Sequence, residues 1–157
     1  HEAYPNTTVE VLIPDFQGSP TALQTVMEAA PAVINHNMEV CEVLFPELRP
    51  EGNYRRSLAI LKCICEQTSH IATKSGFMIG LGEKKDDILR LMEDLRTTGC
   101  QRLTIGQYLQ PSRNHWPVHK YYHPEEFADL QQVALTMGFE AVMAGPLVRS
   151  SYHAARM

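Results

Sequence analysis

The apolar positions along the chain change period several times, and each change marks an element. Residues 8–13 (Thr8-Val-Glu-Val-Leu-Ile13) alternate and are β-branched, which predicts a strand ended by Pro14-Asp15. Over 20–30, Leu23, Val26, Met27 and Ala30 follow helical spacing until Pro31 stops it. Residues 32–35 read as a second strand that runs into His36-Asn37. Asn53 is placed to cap a helix whose inner face is Leu58, Leu61, Ile64 and Cys65. A third strand is expected over 75–81, followed by the clearest helix of the chain. Glu83, Asp86 and Asp87 lie near its start, Ile88, Leu91, Met92 and Leu95 form its stripe, and Arg96 and Gly99 close it, as the helix dipole and the C′ preference for glycine require. Residues 102–106 predict a fourth strand, and 110–122, with two prolines and two histidines, a loop. Pro124 opens a last helix with Phe127, Leu130, Ala134 and Met137 inward and Gly138 as its stop. A fifth strand is expected over 140–144, and the tail after Pro146 is polar and basic.

Strand and helix alternate through the whole length, with no internal repeat and no low-complexity linker. That order predicts an α/β fold with a parallel sheet and helical crossovers. A closed eight-unit barrel takes about 250 residues, and this chain has 157. Five strands and four helices therefore predict a parallel-stranded partial (β/α) barrel, one domain over 1–157, with 145–157 as a C-terminal tail. A part-barrel leaves an edge strand unpaired, expected here to be the first. His1 is followed within ten residues by a strand-like run, so an internal start and a preceding half are expected.

Composition narrows the function. Hydrophobic residues make up 44% and charged residues 20%, the balance of a chain that buries a core. Net charge is −4, so no basic field favours nucleic acid or an anionic membrane. Apolar runs such as 77–81 are far below the roughly 20 residues of a membrane span, and no secretory or transit signal is visible; the expectation is a cytoplasmic protein. The four cysteines, Cys41, Cys63, Cys65 and Cys100, form no C-x-x-C pair. They read as buried reduced thiols, which suit a reducing compartment.

In parallel α/β folds, ligands gather at the carboxyl ends of the strands. Those positions hold Asp15; Asn35-His36-Asn37 with Glu39; Gly80-Leu-Gly82-Glu83; Gln107-Tyr108-Leu-Gln110; and Gly145-Pro-Leu-Val-Arg149-Ser-Ser-Tyr152. Five polar or glycine-bearing ends in succession argue for a polar small molecule at the mouth of the sheet. Each end taken alone has a plainer reading: Asn-His-Asn serves as turn chemistry, and Gly80-x-Gly82 lacks the third glycine and the Lys-Ser/Thr of a phosphate loop. His115, His119 and His123 are spaced by four, but the surrounding prolines deny them a helix, and solvated loop histidines are the default over a metal site.

Five stretches resemble lipoyl synthases. They are Val9-Glu-Val-Leu-Ile-Pro-Asp-Phe-x-Gly18, Asn35-His-Asn-x-Glu39, Thr73-Lys-Ser-Gly-x-Met-x-Gly-Leu-Gly-Glu83, Leu103-Thr-x-Gly-Gln-Tyr-Leu-Gln-Pro-Ser112 and Gly145-Pro-Leu-Val-Arg-Ser-Ser-Tyr-His-Ala154. The resemblance covers essentially the whole chain, in the family's order. It implies a radical S-adenosylmethionine enzyme with an incomplete α/β barrel, which inserts two sulfurs at C6 and C8 of an octanoyl group carried on a lysine. It also implies two [4Fe–4S] clusters: one cleaves S-adenosylmethionine to a 5′-deoxyadenosyl radical, and an auxiliary one is consumed as the sulfur donor.

The resemblance assigns Gly76, Met78, Gly80 and Glu83 to the strand along the adenine, and Asn35, Asn37 and Glu39 to the ribose end. Lys74 and Arg55 are its candidate cations for the methionine carboxylate, while Gln107 and Gln110 face the same mouth. Ser151 matches the family's serine ligand to the auxiliary cluster, with Arg149 beside it. Implied partners are an octanoylated lipoyl carrier domain or protein, an electron donor, and an N-terminal half bearing the C-x-x-x-C-x-x-C loop and a second cysteine triplet. Neither cysteine motif occurs here, so the chain alone is expected to hold no stable cluster and to be inactive. The competing readings are the C-terminal subunit of a split synthase and a non-catalytic module that binds the carrier domain.

Overall fold

The computed structural model describes residues 7–151. Five parallel strands form one sheet in chain order: β1 (Glu10–Leu12), β2 (Val33–Asn35), β3 (Ala72–Ile79), β4 (Arg102–Gln107) and β5 (Ala141–Gly145). The connections carry α1 (Pro20–Glu28), α2 (Phe45–Leu48), α3 (Tyr54–Gln67), α4 (Lys85–Thr97) and α5 (Pro124–Thr136). This is the arrangement of part of a β/α barrel, and the expected fold class holds. β1 lies at an edge as expected, with Leu12 61% and Val9 42% exposed.

Local chemistry explains where the helices begin. The Asn53 side chain accepts from the Arg56 amide at 2.9 Å and caps α3. Ser19 does the same for α1, which has Pro20 in its first turn. Two findings differ from expectation. The segment after β2 holds the four-residue α2 and a 3₁₀ turn over Glu42–Leu44, elements too short to carry a periodic signal. Glu83 lies before α4, which begins at Lys85, because its carboxylate is turned back onto the strand it follows.

The two faces of the sheet differ. Ile34 packs with Leu23, Ile60 and Ile64 of α1 and α3. Phe77, Ile79, Leu103 and Ile105 pack with Ile88, Leu91 and Phe127 of α4 and α5. The residues between them, Gly76, Met78, Thr104 and Gly106, point to the face the helices leave open, as the period of two demands. Cys41 and Cys100 are buried, whereas Cys63 and Cys65 are only half-buried, a correction to the expectation for those two. Burial pushes the Cys41 and Cys100 thiols up to about 12, so both remain protonated near neutrality.

Leu103, fully buried in β4 between β3 and β5, tests this packing. Leu103→Ala is expected to lower unfolding free energy by about 3 kcal/mol, measured by urea denaturation, with the urea dependence unchanged.

Candidate functional site

The site begins where β2 ends. Beyond Asn35 the chain stays bound to β3: His36 N donates to Lys74 O at 3.0 Å, Glu39 N to Gly76 O at 3.1 Å, and Met78 N to Glu39 O at 2.9 Å. Glu39 achieves this at φ 69°, a left-handed conformation that costs a non-glycine residue about 1 kcal/mol. Asn37 Nδ2 donates to Glu39 Oε1 at 3.2 Å and fixes the carboxylate. Around this turn, Asn37 Oδ1, both amide atoms of Asn35, His36 Nε2 and Ser75 Oγ are buried without a hydrogen-bond partner. Orphaned polar atoms are costly in a folded protein and concentrate where a ligand or water completes them.

Two adjoining cavities share Leu12, Asn37 and Glu39 as a common wall. The larger, about 700 Å³, extends over the ends of β1 and β2 to Asp15, His36, Arg49 and Arg56. The smaller, about 260 Å³, runs along the open face past Gly76, Met78, Thr104 and Gly106 to Val148, Arg149 and Ser150. Two glycines make room. A Cβ on Gly76 would meet Thr104 Oγ1 and Asn37 Oδ1, and one on Gly106 would meet the Val148 carbonyl oxygen. Gly106 thus lets the segment after β5 lie across the sheet, where Arg149 Nη1 donates to Val148 O at 2.8 Å.

The charges at the larger cavity are ordered. Arg56 Nε donates to Asp15 Oδ2 at 2.6 Å, and the Gln17 amide donates to Asp15 Oδ1 at 3.0 Å. Burial raises the Asp15 carboxyl, but these contacts outweigh it and hold it below the ordinary value of 3.8. His36 Nδ1 lies 3.0 Å from Ile13 O, and a carbonyl only accepts, so Nδ1 carries the proton. Burial lowers the His36 pKa, outweighing the Ile13 carbonyl and Asp15, which raise it, and so favours the neutral ring with Nε2 as an acceptor. Arg49 lines this cavity with no ion pair among the described residues.

The residues singled out in the sequence divide into two groups. Asn37, Glu39, Gly76, Met78 and Arg149 meet at the cavities, with Asn35 buried beside them. The others brace the site without lining it. Lys74 is fully buried and its Nζ pairs with Glu10 at 3.0 Å, so its charge is answered inside the fold. Glu83 accepts from the Gly80 amide at 2.7 Å, from the Leu81 amide at 2.9 Å and from the Tyr122 hydroxyl at 3.2 Å. Gln107 donates to Ile79 O and Lys120 O and accepts from the Tyr122 amide. Gln110 braces the same loop by donating to His115 O at 2.8 Å.

Arg55 is exposed, pairs with Glu42 at 3.0 Å and lines neither cavity. Ser151 is exposed in the turn just past the cavity wall, and the tail from 152 to 157 lies outside the described residues. The three loop histidines have separate tasks: His115 meets Ser112, His119 stacks on Trp116, and His123 caps α5. Among the described residues, no group of three or more His, Cys, Asp or Glu is placed to hold a metal ion.

Sequence reasoning missed Arg49 and Arg56 as cavity residues, and it placed His36 at a strand end of the site without giving it a role of its own. Arg49 ends the undetected α2, and Arg56 lies in the first turn of α3.

Over 150 residues, 96% of its length, the chain is 51% identical to a lipoyl synthase of Caldicellulosiruptor bescii, of which it covers 52%. It is 51% identical to that of Rubrobacter xylanophilus, covering 96% of this chain and 47% of the relative. With that of Colwellia psychrerythraea the identity is 49%, over 98% of this chain and 47% of the relative. The chain belongs to the lipoyl synthase family. It spans about half the length of the curated relatives it matches. A scan against protein-family models gave no match.

Glu83→Gln places an amide NH₂ against a backbone N–H that needs an acceptor. Hydrogen exchange at the Gly80 and Leu81 amides is expected to accelerate about tenfold, with a stability loss of about 2 kcal/mol. Asp15 gives a pH test. Its folded pKa lies below the unfolded one, so its contribution is present above the unfolded value and is lost as pH falls through the folded value. Asp15→Asn is expected to flatten the decline of stability between about pH 5 and pH 3, read by denaturation at each pH.

Proposed function

We propose that this chain provides the S-adenosylmethionine-binding face and the C-terminal tail of a lipoyl synthase that inserts two sulfurs into a protein-bound octanoyl group. The observation that carries the reading is the meeting of Asn37 and Glu39, from the end of β2, with Gly76 and Met78 of β3 on one continuous cavity wall.

The residues present suit S-adenosylmethionine. The Glu39 carboxylate has one oxygen engaged by Asn37 and keeps acceptor capacity suited to adjacent sugar hydroxyls. The unpartnered Asn35 and Asn37 atoms add donors and acceptors. Gly76 lines the smaller cavity with backbone alone, and Met78 beside it offers an adaptable apolar contact. Arg49 is the cavity cation suited to a carboxylate, in place of Lys74 and Arg55. When bound, S-adenosylmethionine supplies the radical that opens C–H bonds.

The described thiols do not fit an iron–sulfur cluster. Cys41 and Cys100 are buried and protonated, Cys63 and Cys65 sit on a helix, and none lines either cavity. Cluster thiolates on this reading come from the half of the enzyme this chain does not include. Ser151, exposed beside the wall residue Ser150, is proposed as the auxiliary cluster's oxygen ligand, and Arg149 as its neighbour.

The test joins this chain to the portion of the Caldicellulosiruptor bescii enzyme it does not match. After anaerobic reconstitution, the joined protein is expected to hold two clusters by iron and sulfide analysis and to convert an octanoyl-lysine peptide to its lipoyl form. This chain alone is expected to do neither. Glu39→Gln in the joined protein is expected to weaken S-adenosylmethionine binding at least tenfold with cluster content unchanged. Cluster uptake by the chain alone, or unaltered binding in Glu39→Gln, overturns the assignment.

A further inference from the structure

The sheet has two margins, and the one at β5 carries an apolar groove. β5 pairs with β4 on one side only. The groove, about 430 Å³, follows that margin and is lined by residues 143–148 and by Gln131 of α5. Among the described residues that line it, none is charged. Leu147 is 71% exposed and residues 143–146 are half-buried, so the groove opens to the outside. Gln131 Nε2 donates to Val142 O at 3.1 Å, which fixes this side chain across the margin and leaves its Oε1 as an acceptor.

The groove and the smaller cavity meet at Val148, a buried residue that lines both. Its carbonyl lies over Gly106, where a Cβ would strike it, so Val148 is seated on the open face of the sheet. On the cavity side of Val148 stand Glu39 and Arg149, and on the groove side the lining is apolar apart from Gln131. An uncharged concave surface with one side-chain amide suits an aliphatic chain that carries a single polar group. Of the reactants in the function proposed above, S-adenosylmethionine is charged and polar along most of its length. Only the octanoyl group is aliphatic.

We propose that the octanoyl chain enters over the β5 margin, with its amide and nearest methylenes in this groove and its distal carbons past Val148 in the smaller cavity. The inference rests on the proposed function, and the direction follows from its chemistry. The carbons that react, C6 and C8, are at the far end of the chain. The lysine amide stays with a protein that cannot enter a cavity of about 260 Å³. The groove therefore takes the methylenes next to the amide, and Gln131 Oε1 is suited to accept from the amide N–H. Covering methylenes in this way selects for chain length, at up to about fourfold in affinity for each one removed from water.

The test uses this chain, isotope-labelled for amide shift mapping, and three acyl-lysine peptides that differ only in the acyl group: acetyl, butanoyl and octanoyl. Butanoyl is expected to shift the Met143 and Leu147 amides alone, and octanoyl to shift these together with the Gly76 and Gly106 amides. Octanoyl is expected to bind at least about tenfold tighter than butanoyl. Leu147→Asn, on an exposed residue, is expected to weaken octanoyl binding at least about threefold. Leu109→Asn, which removes an exposed leucine from the loop after β4, is expected to leave it unchanged. If octanoyl shifts Asn37, Gly76 and Gly106 without Met143 or Leu147, the acyl-site reading stands and the groove is wrong. Unaltered octanoyl binding in Leu147→Asn also overturns it. If no peptide shifts any amide, the groove is not an acyl site, and conversion of the octanoyl-lysine peptide by the joined protein decides separately whether the functional reading survives.

Discussion

Glu39 holds a left-handed backbone because its amide and its carbonyl are both claimed by β3, through Gly76 O and Met78 N. A ladder that ended at Asn35 would release the chain into solvent. This one carries it across the open face for four more residues and then turns it away. Every other feature of the site depends on that short extension. It sets Asn37 and Glu39 against Gly76, it leaves both Asn35 amide atoms and Asn37 Oδ1 without partners, and it forms the wall the two cavities share.

Around that wall, buried polar groups do the holding. Glu83, Gln107 and Tyr122 tie the end of β3 to the loop before α5 through backbone groups that would otherwise be orphaned. Lys74 reaches from β3 to Glu10 of β1, past the intervening β2. A buried charge with one partner is weak evidence for stability, but it ties an exposed edge strand to the middle of the sheet.

The alternation of period 2 and period 3.6 in the sequence was enough for the five strands, the four longer helices and the order that makes the sheet parallel, because each of those elements buries one face. The Asn53 cap and the edge position of β1 were legible for the same reason. The short α2 was not, since four residues complete one turn and repeat nothing. At the site, the residues themselves were legible but their tasks were not. Glu83 and Gln107 look like ligand residues in a string of letters, and only the positions of Gly80 N, Leu81 N and Tyr122 N show that they are spent on the backbone. Arg49 reaches the cavity through a change of chain direction that no periodicity encodes.

The strands lie in the sheet in the order in which they occur in the chain. No strand has to be threaded between two others already paired, so the sheet can assemble as it is translated, each βα unit adding to the one before. Contacts that arise between sequence neighbours are the ones that close quickly and with little loop entropy. A protein put together in this manner can be lengthened by another unit at the β1 margin without disturbing a single existing pairing. The same sequential order makes a stretch of five strands a coherent body, whatever is added beyond it.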